Sequence, residues 1–89
     1  MKSAYELAME RLERQSPAVK ITDEQRLALA EIDATYKAKI AEREVFLQSQ
    51  IQKAISARQA DEVESLRVQL GREVRRLQEE CEEKKARAR

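Results

Sequence analysis

Between Ile32 and Cys81 the apolar positions fall into two series that mirror each other about a point near Gln59. The first series is Tyr36, Ile40, Leu47, Ile51 and Ala54, with Arg43 in its one gap; the second is Val63, Leu66, Leu70, Val74, Leu77 and Cys81. In mirrored order both step by four, three, four, four and three residues, a spacing that keeps one side of an α-helix apolar. Tyr36 then pairs with Cys81, Ile40 with Leu77, Arg43 with Val74, Leu47 with Leu70, Ile51 with Leu66 and Ala54 with Val63 at a constant sum of residue numbers. A chain that turns back once and packs antiparallel on itself requires such a sum. The steps amount to an eleven-residue repeat, closer to the natural helical period than a seven-residue one, so the arms should be nearly straight or slightly right-handed in supercoil. The pattern predicts an all-α fold: a long, coiled-coil-like antiparallel two-helix hairpin.

Capping and breaking residues set the expected boundaries of a single helical domain over 1–89. Ser3 to Gln15 carries Tyr5, Ala8, Met9 and Leu12 at helical spacing and predicts a short amphipathic helix over 3–15. Ser16-Pro17 ends it, because a residue before proline is pushed out of the helical region, and 16–21 reads as an extended linker with Val19 and Ile21 tucked against the hairpin. Thr22-Asp23-Glu24-Gln25 fits a capping box, which starts the long helix expected over 22–57. Asp61-Glu62-Val63-Glu64 is a second capping signature and places the return helix at 61–86, with the turn at Ser56 to Ala60. That turn has no glycine, which leaves one continuous helix pairing with another molecule as the alternative.

The long helix has a second apolar side. At 100° per residue Leu27, Ala30, Ala34, Ala38, Ala41 and Val45 form a stripe facing away from the seam, and the return helix has no counterpart beyond Val68. The short N-terminal helix is expected to fold back beside Leu27 to Ala38. It is too short to reach the Ala41 to Val45 end, which with Phe46 and Val68 nearby is expected to meet a symmetry mate in a homodimer. Gly71 costs about 1 kcal/mol relative to Ala within a helix, and the register sets it opposite Phe46, so it is expected to make room for that ring; a hinge is the alternative. Arg43 should pack its stem in the seam and reach Glu73 or Glu42 at the edge.

Composition narrows the chemistry. Of the 89 residues 39% are charged, with one Gly, one Pro and a net charge of +1, which suits long solvated helices and provides no global field for nucleic acid or anionic lipid. There is no His, which removes the commonest general base and metal ligand, and the single Cys81 excludes an internal disulfide and is expected to behave as a small hydrophobe. No phosphate loop, nucleophile elbow or Cys-x-x-Cys occurs, so no catalytic, cofactor or metal residues are expected; the acidic run Glu79, Glu80, Glu82 and Glu83 reads as a solvated helix surface. Charges interrupt the N-terminal stretch every few residues, so neither a signal peptide nor a membrane span is expected, and a cytoplasmic location is the default.

The segment Ile51 to Leu70, IQKAISARQADEVESLRVQL, resembles the short helical-hairpin motif of bacterial nucleotide-excision-repair proteins and some protease-associated regulators. Asp61-Glu62 at the turn exit and Leu66-Arg67-x-Gln69-Leu70 on the return helix carry the resemblance. The chain departs from that motif at Ala60, where an aromatic is usual, and at Val63-Glu64, where alanines are usual. The resemblance implies a protein–protein docking role. The whole chain also resembles small bacterial helical-hairpin proteins.

The expected function is therefore a non-catalytic structural or interaction module, acting as scaffold, adaptor or spacer, self-associating and binding another protein. The alternative is a nucleic-acid-associated protein using Arg67, Arg72, Arg75, Arg76 and the basic end Lys84 to Arg89. From Arg58 onward nine basic residues are interleaved with eight acidic ones, and no aromatic platform for base stacking lies among them.

Overall fold

The computed structural model describes residues 2–15 and 21–89. Among them are three helices and no strand: α1 (Ala4–Gln15), α2 (Asp23–Ser56) and α3 (Ala60–Ala88). The expected linker falls at 16–20, outside the described residues, apart from Ile21. Ile21 is exposed rather than tucked against the hairpin.

α2 begins as its sequence dictates. The Thr22 hydroxyl accepts from the Gln25 amide at 3.1 Å, and the Gln25 side chain accepts from the Thr22 amide at 2.9 Å, so two donors that a helix start leaves unpaired are both satisfied. In α1 the Ser3 hydroxyl plays the same part for the Glu6 amide. From Asp23 the chain runs through 34 helical residues to Ser56, capped at Ala57.

The turn differs from the expected one. α3 starts at Ala60 with Gln59 at its N-cap, one residue before the Asp61 that its acidic signature suggested, and no side chain caps it. Asp61 and Glu62 lie inside the first turn, where their charges suit the positive end of the helix dipole. The reversal is achieved by backbone geometry: Arg58 has φ of 56°, its amide donates to the Ile55 carbonyl, and the Gln59 amide donates to the Ala54 carbonyl, each at 3.0 Å. This pair of bonds around one left-handed residue is the Schellman ending, which usually employs glycine. Here an arginine adopts it, so the missing glycine does not prevent the turn, and the continuous-helix alternative is excluded.

The two long helices pack along the predicted register. Arg43 bridges to Glu73, Tyr36 to Glu80, and Asp33 to both Cys81 and Lys85, all within a few residues of the expected partners. Tyr36, Leu47, Ile51 and Ala54 are buried; Ile40, Val63, Leu66, Leu70, Val74, Leu77 and Cys81 are half-buried. Two helices enclose a side chain only along their mutual contact, so most seam residues keep one edge in water. The same spacing carries the seam past its expected start, with Leu29 and Ile32 half-buried towards the end of α3. α3 continues to Ala88, two residues beyond the expected end.

Two further expectations are corrected. α1 does not lie on the α2 stripe: Leu27 is 67% exposed, the four alanines are exposed, and Tyr5, Leu7, Met9 and Leu12 of α1 are exposed as well. The stripe's small side chains leave α1 little area to bury, so docking there gains little. Gly71 does not accommodate Phe46, since a Cβ built at Gly71 meets nothing within 4 Å and Phe46 is half-exposed beneath the Arg43 guanidinium, 5.1 Å from its ring centre.

Candidate interaction surface

Each residue of the predicted partner face, Leu27, Ala30, Ala34, Ala38, Ala41 and Val45, lies on the side of α2 opposite the seam and is exposed. Leu27 at 67% and Val45 at 70% mark the two ends. At ~1.5 Å per residue they stand about 27 Å apart, so the face spans five turns. Its physical origin is visible in the sequence: α2 is apolar on two sides, whereas α3, apolar on one, presents charges outward. A helix apolar on two sides needs two neighbours, and α3 covers one of them.

Phe46 and Val68, expected near the open end, are each half-exposed but stand apart from the face. Phe46 is a quarter-turn from Val45 and Val68 is on α3. The structure therefore leaves the whole stripe open rather than the Ala41 to Val45 end alone.

At the far end of the hairpin a polar cluster closes the seam. Tyr36, 3% exposed, is flanked by the ammonium groups of Lys39 and Lys84 at 4.8 and 5.3 Å from its ring centre, and its hydroxyl donates to Glu80 at 3.4 Å. These cations sit against the electron-rich ring, a contact that offsets the loss of hydration around a buried tyrosine. Beside it the Cys81 thiol donates to Asp33 at 3.7 Å, and Lys85 binds the same carboxylate oxygen at 3.1 Å. Cys81 is thus not simply a small hydrophobe.

Burial first, and the Asp33 hydrogen bond second, push the Cys81 thiol above its ordinary value, so it holds its proton more tightly than a free cysteine. A nucleophilic cysteine needs the opposite shift. The hydrogen bond to Asp33 raises Lys85 in turn, outweighing desolvation, which lowers it. Arg43, whose guanidinium was expected to reach Glu73 or Glu42, makes two bonds of 3.0 and 3.1 Å from one nitrogen and a third at 3.1 Å from another, all to Glu73. This pair ties the middle of the seam at its edge.

The basic residues of α3 are partly spent within the molecule. Arg76 binds Glu80 at 3.3 Å, Lys85 binds Asp33 and Glu82, and Lys84 lies over Tyr36. Arg72 and Arg76 share one side of the helix with Asp61, Glu64 and Glu73, while Arg75 stands among Glu79, Glu82 and Glu83. Acids therefore interrupt every basic stretch along the helix body. Among the described residues no group of acids or Cys is arranged to hold a metal ion, and no helix is long and apolar enough to cross a membrane.

The fold thus defines an all-α helical hairpin whose long helix keeps an exposed apolar face among the described residues. Comparison with protein-family models, curated proteins and solved structures finds no match to the chain.

Proposed function

We propose that this chain is a non-catalytic structural or protein–protein interaction module, a rigid hairpin that presents the outer face of α2 to a partner helix. One observation carries the reading: α2 is apolar on two sides and its own chain covers one. The resemblance of residues 51–70 to a docking hairpin supports it from a separate stretch of sequence.

The test is capture from the native host with wild-type protein and with Ala38→Glu, which sets a charge in the middle of the open face without touching the seam. The expected outcome is stoichiometric recovery of a helical protein by the wild type, loss of it by the variant, and unchanged helicity of both by circular dichroism. Recovery unaffected by Ala38→Glu would remove the α2 face from the reading. Retention on DNA or RNA at low salt that collapses at physiological salt, and weakens on removal of Lys84 to Arg89, would replace the interaction reading with nucleic-acid association.

A further inference from the structure

We propose that the outer face of α2 is covered by a second copy of this chain, in a two-fold dimer whose α2 helices run parallel and in register. The proposal rests on the interaction reading and adds the partner and its orientation. The charges along the two edges of the face carry the argument. One residue before Leu27, Ala34, Ala38 and Val45 stand Arg26, Asp33, Lys37 and Glu44, on one edge. One residue after Ala30, Ala34 and Ala41 stand Glu31, Thr35 and Glu42, with Glu24 in line, on the other. Lys85 holds Asp33 at 3.1 Å, so the first edge offers two cations against Glu44. On the second edge Lys39, one residue after Ala38, turns towards the seam and lies over the Tyr36 ring, which leaves Glu24, Glu31 and Glu42 as its outward charges beside neutral Thr35. Arg26, Lys37, Glu24, Glu31 and Glu42 are exposed, and among the described residues none has an ion-pair partner within its own chain.

Symmetry then decides the orientation. A two-fold axis along the helices sets the basic edge of each copy against the acidic edge of the other. An axis across them sets each edge against itself. In the parallel arrangement an edge residue meets the one about five positions later on its neighbour, which brings Arg26 beside Glu31 and Lys37 beside Glu42, each twice by symmetry. Asp33 and Glu44 then face Ala38 and Ser49, and the one like-charge contact is Asp23 with its own copy, at the first residue of α2, one turn before Leu27. Leu27 packs on Leu27 and Val45 on Val45, with alanines between that let the backbones approach to about the 8 Å lower limit of helix packing.

The antiparallel arrangement centred on Ala34 does worse. It restores a pairing of Arg26 with Glu44, but it brings Glu24 towards Glu42 and leaves Lys37 only Asp33, which Lys85 already holds. On the acidic edge Glu24 and Glu42 then meet twice by symmetry, with Glu31 opposite Thr35 between them. The parallel dimer removes the apolar face from water without that repulsion.

The experiment uses the full chain with Cys81→Ser, so that a single introduced thiol reports. Light scattering at high micromolar concentration should give a dimer, and Val45→Cys in that background should form an intermolecular disulfide under mild oxidation. Complementary charge variants provide the second arm. Arg26→Glu with Lys37→Glu, and separately Glu31→Lys with Glu42→Lys, should each associate at least about tenfold more weakly than wild type. Mixed together, the two variants should form a heterodimer in which all four pairs are complementary, two of them native and two reversed. A monomeric wild type overturns the proposal, while the interaction reading is judged separately by capture with Ala38→Glu. A dimer in which Val45→Cys stays reduced, while Leu27→Cys cross-links to Ala41→Cys, overturns it in favour of antiparallel pairing.

Discussion

Two backbone positions hold strain or slack that single substitutions should release. Arg58 is held at φ of 56°, a region that costs a residue with a Cβ about 1 kcal/mol, yet the Schellman hydrogen bonds depend on it. Arg58→Gly should therefore raise stability by about 0.5–1 kcal/mol, read as an increase in urea midpoint with an unchanged slope. Gly71 lies inside α3 with open space where a Cβ would go and no positive φ. Gly71→Ala should stabilise by a similar amount, since helix propensity alone decides the outcome there; a loss of stability would reveal a close neighbour the packing does not show.

Side-chain titration at the far end makes a prediction of a different kind. Burial and Asp33 raise the Cys81 thiol, so at neutral pH less thiolate forms in the folded protein than in the unfolded chain. Alkylation by iodoacetamide should be slow in buffer and recover in denaturant. Lys85 is also raised, chiefly by its hydrogen bond to Asp33, so the ammonium is favoured in the folded state. Its stabilisation is fully present below the unfolded-state lysine value and is lost as pH rises through the higher folded one. The difference in urea midpoint between wild type and Lys85→Met should hold at neutral pH and shrink above the ordinary lysine value of 10.5.

At the scale of the elements, the seam residues are not equivalent although their spacing is. Leu47 is 1% exposed while Leu70, its register partner on α3, is half-buried. Leu47→Ala should cost about 3–4 kcal/mol and Leu70→Ala about 2, because the second site keeps contact with water and can relax. Glu79→Ala, on the solvated side of α3, should stay within about 0.5 kcal/mol of wild type. Equal losses at all three positions in a denaturation series would sink the register. The Arg43–Glu73 bridge adds alignment more than energy, since both partners remain about one-third exposed.

At the scale of the molecule, α1 is an amphipathic helix whose Tyr5, Leu7, Met9 and Leu12 are exposed, beside a hairpin held together by α2 and α3. A chain lacking residues 2–15 should accordingly keep the melting temperature of the full protein within about 2 °C, because α1 buries little apolar surface on the hairpin. A large drop would show that α1 docks after all. The outer apolar face of the long helix stands open from Leu27 to Val45, and that makes this face, rather than the seam, the place to test for function.

Sequence alone determined the antiparallel seam, because two antiparallel helices need nothing more than matched spacing on the two arms. That the chain turns back rather than running on to pair with another molecule was decided by the left-handed Arg58. The spacing sets Tyr36, Leu47 and Ile51 on the buried side, marks the α2 stripe as a second face, and brings Arg43 within reach of Glu73 or Glu42, of which the fold selects Glu73. The Thr22 capping box was legible for the same reason, being a bond between neighbours in the chain. What spacing cannot express is competition in three dimensions. Asp61 was displaced as N-cap because the left-handed Arg58 reverses the chain one residue sooner. Cys81 acquired Asp33 as a neighbour because the far end of the hairpin brings together residues 48 positions apart, and the same carboxylate draws in Lys85 from the next turn of α3. Gly71 and Phe46 share a register level yet do not touch, since side chains at the edge of a two-helix seam are free to turn towards water. Whether α1 covers the stripe was likewise a question of area, and only tertiary structure could answer it, because amphipathic spacing marks a face to be covered without naming its occupant.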